Sequence, residues 1–149
     1  MNAGCPACWK YHLTSMGAPM NHPCEAKDSD IARIVAALSN VRMPAQPEEY
    51  DIHAQVASAL DAASLAYEHE YRLGPRCRID FKVGRVGIEV KKGRPVASDL
   101  IKQLKRYLES EALDAAVVVM QRGIALPGRI SGKPVVVVSL NRLWGVALP

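Results

Sequence analysis

The chain reads as an α/β domain on a mixed β-sheet, and three observations lead there. Strand-length runs at 68–73, 77–83 and 86–91 are separated only by Gly74-Pro75-Arg76 and Gly84-Arg85. Two continuous apolar runs, 115–120 and 135–140, have the length of strands covered on both faces. Between the two groups, Leu100, Leu104 and Leu108 form a stripe at helical spacing. With 149 residues, 49% hydrophobic and 23% charged, the chain is long enough to bury a core of its own, which excludes disorder and coiled coil as its main state.

Taken in order, residues 1–27 hold no sustained periodicity and are rich in Gly, Pro, Cys and His, as expected of a loop-built segment. Asp28-Ser29-Asp30 offers capping side chains for a first helix, with Ile31, Ile34, Val35 and Leu38 on one face. Pro44 and Pro47 then punctuate the chain, so 28–46 reads as helix plus linker and 47–149 as the main domain. A second helix is expected from Pro47 to about Ala66, with Ile52, Val56, Leu60 and Ala63 turned inward. The third should begin with Ser98 as its cap and end near Ser110. Strand, helix and strand over 86–120 then form a right-handed parallel crossover.

The chemistry concentrates in the two middle strands. Side chains alternate along a strand, so Ile79, Phe81 and Val83 should share one face and Arg78, Asp80 and Lys82 the other. A two-residue turn at Gly84-Arg85 sets Val83 opposite Val86, and counting back sets Asp80 opposite Glu89. Two carboxylates ~5 Å apart repel unless a cation lies between them. Hard oxygen donors of this kind suit Mg²⁺ or Mn²⁺, and Lys91 projects from the face of Glu89, where it can serve a water or a phosphate. Gly87 is expected to leave room for a substrate backbone, and Cys77 to be a small buried residue. The plain alternative is a solvated hairpin face, which explains the alternation but not two opposed acids.

Asp80 followed by Glu89-Val90-Lys91 resembles the core of the PD-(D/E)XK nuclease superfamily, with Ile79 standing where the signature has proline. Gln103-Leu-Lys-Arg-Tyr107 is similar to the Gln-hydrophobic-x-x-Tyr motif of its RecB-like members, and Glu49 with Ile52 and Val56 resembles the Glu-bearing first helix. The resemblance covers about residues 48–120 and implies a restriction-endonuclease-like sheet flanked by helices. It further implies metal-dependent hydrolysis of DNA phosphodiesters, an endonuclease before an exonuclease. In that reading Asp80, Glu89 and the Val90 carbonyl hold Mg²⁺ or Mn²⁺. Lys91 serves the water, Glu49 adds a metal or water contact, and Gln103, Arg106 and Tyr107 bind substrate. Taken alone, Gln103, Arg106 and Tyr107 are an ordinary polar helix face and Glu49 a favourable first-turn acid. A pairing of two copies is expected by analogy with small members of the fold.

Charge agrees with a polyanionic partner. The chain has 19 Lys and Arg against 15 Asp and Glu, but 11 of the basic and only 3 of the acidic residues fall between Arg72 and Arg106. Cys5-x-x-Cys8 has zinc-knuckle spacing, and Cys24 with His22 or His12 would complete a structural zinc site. No uncharged apolar run approaches the ~20 residues of a membrane-spanning helix, which points to a cytoplasmic protein without membrane contact. The reading from a different class is a catalytically silent nucleic-acid-binding or protein-interaction subunit on the same fold.

Overall fold

The computed structural model describes residues 23–41 and 47–140. Cys5, Cys8 and His22, three of the four expected zinc ligands, lie outside the described residues, as does the side chain of Cys24. Three helices and six strands follow in the order α1 (Pro23–Leu38), α2 (Glu49–Ala62), β1 (Glu68–Gly74), β2 (Cys77–Val83), β3 (Val86–Lys91), α3 (Ala97–Leu108), β4 (Ala115–Met120), β5 (Arg129–Ile130) and β6 (Lys133–Ser139). The strands form one mixed sheet ordered β1-β2-β3-β4-β6-β5.

The sheet's centre is parallel and its edges antiparallel. β3 pairs with β4 from Val86↔Ala115 to Lys91↔Met120, and β4 pairs with β6 from Ala116↔Val135 to Met120↔Ser139, both parallel. β1 and β2 join antiparallel through a turn in which Pro75 presets its own φ and Arg76 takes φ +55°. β2 and β3 join antiparallel through Gly84-Arg85, with Gly84 at φ +54°.

Both faces of the sheet are covered. On one, Ile34 and Leu38 of α1 and Ile52, Val56 and Leu60 of α2 pack over Phe81, Ile88, Val90, Val117 and Val119. On the other, Leu100, Leu104 and Leu108 of α3 pack over Ile79, Ala116, Val118 and Met120. β4 between them is buried at all six positions, which is why Ala115–Met120 reads as one apolar run.

Several boundaries differ from expectation. α1 starts at Pro23, where a proline suits the first helical turn, five residues before the capping cluster at Asp28. α2 starts at Glu49 because a capping box closes on Glu48: its side chain accepts from Asp51 N–H while Asp51 Oδ2 accepts from Glu48 N–H at 2.8 Å. α3 starts one residue before Ser98, with Val96 as an uncapped N-cap whose carbonyl accepts from Leu100 N–H at 3.1 Å. β5 was not expected. Ser131 and Gly132, at φ +52° and +75°, make the tight turn that folds Arg129–Ile130 back on Lys133–Pro134. No helix among the described residues is long and apolar enough to cross a membrane.

Candidate active site

The β2/β3 ladder runs Val83↔Val86, Lys82↔Gly87, Phe81↔Ile88 and stops there, one pair short of Asp80 and Glu89. Instead of a backbone partner, Val90 N–H finds the side chain of Asp80, donating to Oδ2 at 2.7 Å. The carboxylate therefore sits between the parting strands. On its other side, β1 pairs His69↔Phe81 and then Tyr71↔Ile79, passing over Glu70, whose φ is +53°.

This irregularity corrects the expected alternation. Phe81 and Val83 do lie on the α1/α2 side, but Ile79 has crossed to the α3 side, where its Cδ1 fills the space in front of Gly87. A Cβ on Gly87 would stand 2.4 Å from Ile79 Cδ1 and 2.9 Å from Leu113 Cδ1. Gly87 is thus a close-packing glycine and does not open toward a substrate.

Glu89 is the one charged side chain buried in the core among the described residues, at 2% exposure. It projects to the α3 side, where its Oε1 accepts from Lys91 Nζ at 2.6 Å and from Gln103 Nε2 at 2.8 Å. Oε2 is buried and has no hydrogen-bond partner among the described residues. Burial first, and the charge of Asp80 second, push the Glu89 carboxyl up to about 7, against the pull of Lys91 and Tyr107. A buried carboxylate oxygen without a donor is costly, so such an atom asks for an explanation.

α3 holds Glu89 in place. Gln103 Nε2 also lies 2.5 Å from Tyr107 Oη, one helical turn on, so the two residues form a bracket around the carboxylate. Burial, followed by the charge of Glu89, raises the Tyr107 phenol above its ordinary range and keeps it protonated. Gln103 and Tyr107, expected to bind substrate, line a cleft while their polar atoms meet each other, and Gln103 also meets Glu89 Oε1. Arg106 between them is exposed.

From the other face α2 brings His53 up to Asp80. His53 Nε2 stands 3.8 Å from Asp80 Oδ2, and the ring packs on Phe81 at 5.6 Å between centroids and edge-on to His69 at 6.0 Å. Glu49, one turn earlier, is exposed and makes no hydrogen bond or ion pair among the described residues. The signal for His53 was present, since it shares the helical face of Glu49, four residues away.

The basic residues sort into two groups. Lys82 is tied to Glu68 at 3.0 Å and lies over the Tyr71 ring, Lys92 is tied to Glu48 at 2.6 Å, and Arg85 is locked to Asp114 at 2.7 Å at the far end of β3. Arg72, Arg76, Arg78 and Arg106 instead converge on a cleft of about 600 Å³ walled by Gln103 and Tyr107. Cys77, expected to be buried, is half-buried and lines this cleft; desolvation raises its thiol pKa and the nearby Arg106 lowers it.

Among the described residues no three His, Cys, Asp or Glu side chains are grouped to hold a metal ion. No protein-family model, curated protein or solved structure matches the chain.

Proposed function

We propose that the chain is a Mg²⁺- or Mn²⁺-dependent nuclease of the PD-(D/E)XK type acting on DNA phosphodiesters. The observation that carries this reading is Glu89 Oε2, a buried carboxylate oxygen without a partner, in a residue whose other oxygen is held by Lys91 and Gln103. A divalent cation would relieve it. The donors present fit such an ion: two carboxylates, Asp80 and Glu89, and the Val90 carbonyl are hard oxygen ligands, and Mg²⁺ commonly takes one or two carboxylates and keeps several waters. Bound there, the ion supplies a lowered pKa for water and positive charge against the phosphate.

The chain's own groups supply the rest. Asp80 is oriented by Val90 N–H, and both of its described contacts use Oδ2, so Oδ1 would be available to hold an ion. Lys91, at 26% exposure, keeps its ammonium beside Glu89 Oε1, where it can hold the attacking water or the charge that develops on a non-bridging phosphate oxygen. Gln103 and Tyr107 fix the rotamer of Glu89, which makes them positioning residues. Arg106 offers its guanidinium to a neighbouring phosphate. Water loses a proton to solvent and its oxygen bonds to phosphorus, the bond from phosphorus to the leaving sugar oxygen breaks, and that oxygen takes up a proton from solvent, so that one water is consumed and no net proton is gained or lost.

A silent subunit on the same fold has no use for the desolvated, unpartnered Glu89 Oε2, and this is the specific observation against it. The deciding measurement is cleavage of plasmid and oligonucleotide DNA with Mg²⁺ or Mn²⁺. The wild-type chain should cut. Asp80→Ala and Lys91→Ala should lose at least about a hundredfold in rate, the scale of general acid–base or charge-stabilising groups. Cleavage that survives both substitutions removes the assignment.

A further inference from the structure

The cleft beside Glu89 has a composition that the carboxylate site does not require. Four arginines reach it from four different places: Arg72 on β1, Arg76 in the β1–β2 turn, Arg78 on β2 and Arg106 on α3. Only Arg78 is neutralised, by Glu70 at 2.8 Å. Arg72, Arg76 and Arg106 are exposed and have no hydrogen bond or acidic partner among the described residues. Three unpaired guanidiniums around one concavity repel one another, and a ligand that carries several negative charges relieves all three.

Two further facts narrow the ligand. Gln103, which lines the cleft together with Tyr107, is hydrogen-bonded to Glu89 Oε1, so the cleft wall and the carboxylate share one side chain. At about 600 Å³ the cleft is also the size of a pocket for a small molecule, which is room for roughly one or two nucleotides and too little for a duplex.

We infer that this cleft is a single-strand subsite: it grips the backbone phosphates of one DNA strand next to the phosphodiester that lies over Asp80 and Glu89. The inference rests on the nuclease reading for its direction toward the carboxylates, but its binding chemistry stands apart from hydrolysis. It assigns to the chain a preference for single-stranded or frayed DNA, with the fixed charges of the β1–β2 hairpin and α3 as the selecting feature. Few aromatic rings face the cleft, so affinity comes from phosphate contacts and is sensitive to salt.

The test measures binding without turnover. Fluorescence anisotropy of a labelled thymidine oligonucleotide, and of a blunt duplex of equal length, is recorded in EDTA over a range of salt concentrations. The wild-type chain should bind the single strand more tightly than the duplex. Combined Arg72→Ala, Arg76→Ala and Arg106→Ala substitution should weaken single-strand binding at least about tenfold. It should also flatten the slope of log K against log salt by about 2, since each lost phosphate contact on a single strand removes roughly 0.7. Arg33→Ala, an exposed arginine on α1, serves as the charge control and should change neither. All three cleft positions are exposed, and circular dichroism of the variant confirms that it folds. Competition by 5′-phosphorylated and 5′-hydroxyl strands separates internal phosphates from a terminal one: equal competition is expected, and a large advantage for the phosphorylated end would overturn the backbone assignment. Unchanged affinity and slope in the triple variant, or tighter binding of the duplex, would overturn the subsite. Because no metal is present, failure of the wild-type chain to cut DNA would sink the nuclease reading and leave this result standing.

Discussion

Glu89 is where packing and charge conflict most sharply. Its neighbours along β3, Ile88 and Val90, are buried on the α1/α2 side, while it points the other way under α3 at 2% exposure. Its carboxyl is raised from 4.5 to about 7 by burial and by Asp80. A raised acid holds its proton longer in the folded state than in the unfolded one. The stability it contributes is therefore complete below pH 4.5 and is lost as pH rises toward 7. The full span is worth up to roughly 3 kcal/mol, at about 1.4 kcal/mol for each unit. In the absence of divalent metal, thermal midpoints of the wild-type chain should fall across this window, and Glu89→Gln should flatten that fall. The substitution also removes the partner of Lys91, but that loss does not vary over this range, so the difference between the two slopes isolates Glu89. Equal slopes would mean that the carboxyl is not desolvated in solution. If Mg²⁺ then restores the wild-type midpoint near pH 7 and leaves that of Glu89→Gln unmoved, the stabilisation is that of an ion bound only by the folded state.

Among the elements, the β2–β3 hairpin decides what the site can be. Its two strands are paired tightly at the turn and part at Asp80, where Val90 N–H donates to the carboxylate and Ile79 packs over Gly87. Gly87→Ala would force a methyl group to within 2.4 Å of Ile79 Cδ1 and should cost about 1–3 kcal/mol in chemical denaturation. Ile79→Val in the same chain should recover part of that loss, and a double-mutant cycle with no coupling would show that the two do not touch. The register at Val83↔Val86 and the limits of β2, β3 and β4 were legible because turn residues and apolar content mark them locally. The switch of face at Ile79 was not, because strict alternation gives no sign of the interruption opposite Glu70, whose φ is +53°. That Lys91 projects beside Glu89 was legible from spacing for the same reason that the strands were. The inward turn of Gln103 was hidden because it depends on how α3 settles over β3, fourteen residues upstream. Four arginines were visible as charge, but only the fold gathers Arg72, Arg76, Arg78 and Arg106 on one cleft.

At the scale of the whole molecule, the sheet is shared by two apolar layers that hold different parts of the site. α1 and α2 cover the face that presents His53 to Asp80, and α3 covers the face that holds Glu89 through Gln103. Since β4 is buried on both sides, neither layer can open without exposing the strand that supports the other. Loss of either should unfold the domain as one unit. Leu60→Ala on α2 and Leu104→Ala on α3 each empty a site of 0% exposure and should cost about 2–5 kcal/mol, with one transition seen alike by far-ultraviolet circular dichroism and by hydrogen exchange of β4. Their effects on chemistry should separate. Leu104 anchors the turn of α3 that carries Gln103, so its truncation loosens the bracket on Glu89 and should lower DNA cleavage well below the transition temperature. Leu60 lies nearly two turns from His53 and should leave cleavage under the same conditions within about twofold, because truncation there costs stability without moving a group near the carboxylates. If both substitutions depress cleavage equally at a temperature where both chains are folded, the division of the site between the two layers is wrong, and the carboxylates are held by the sheet alone.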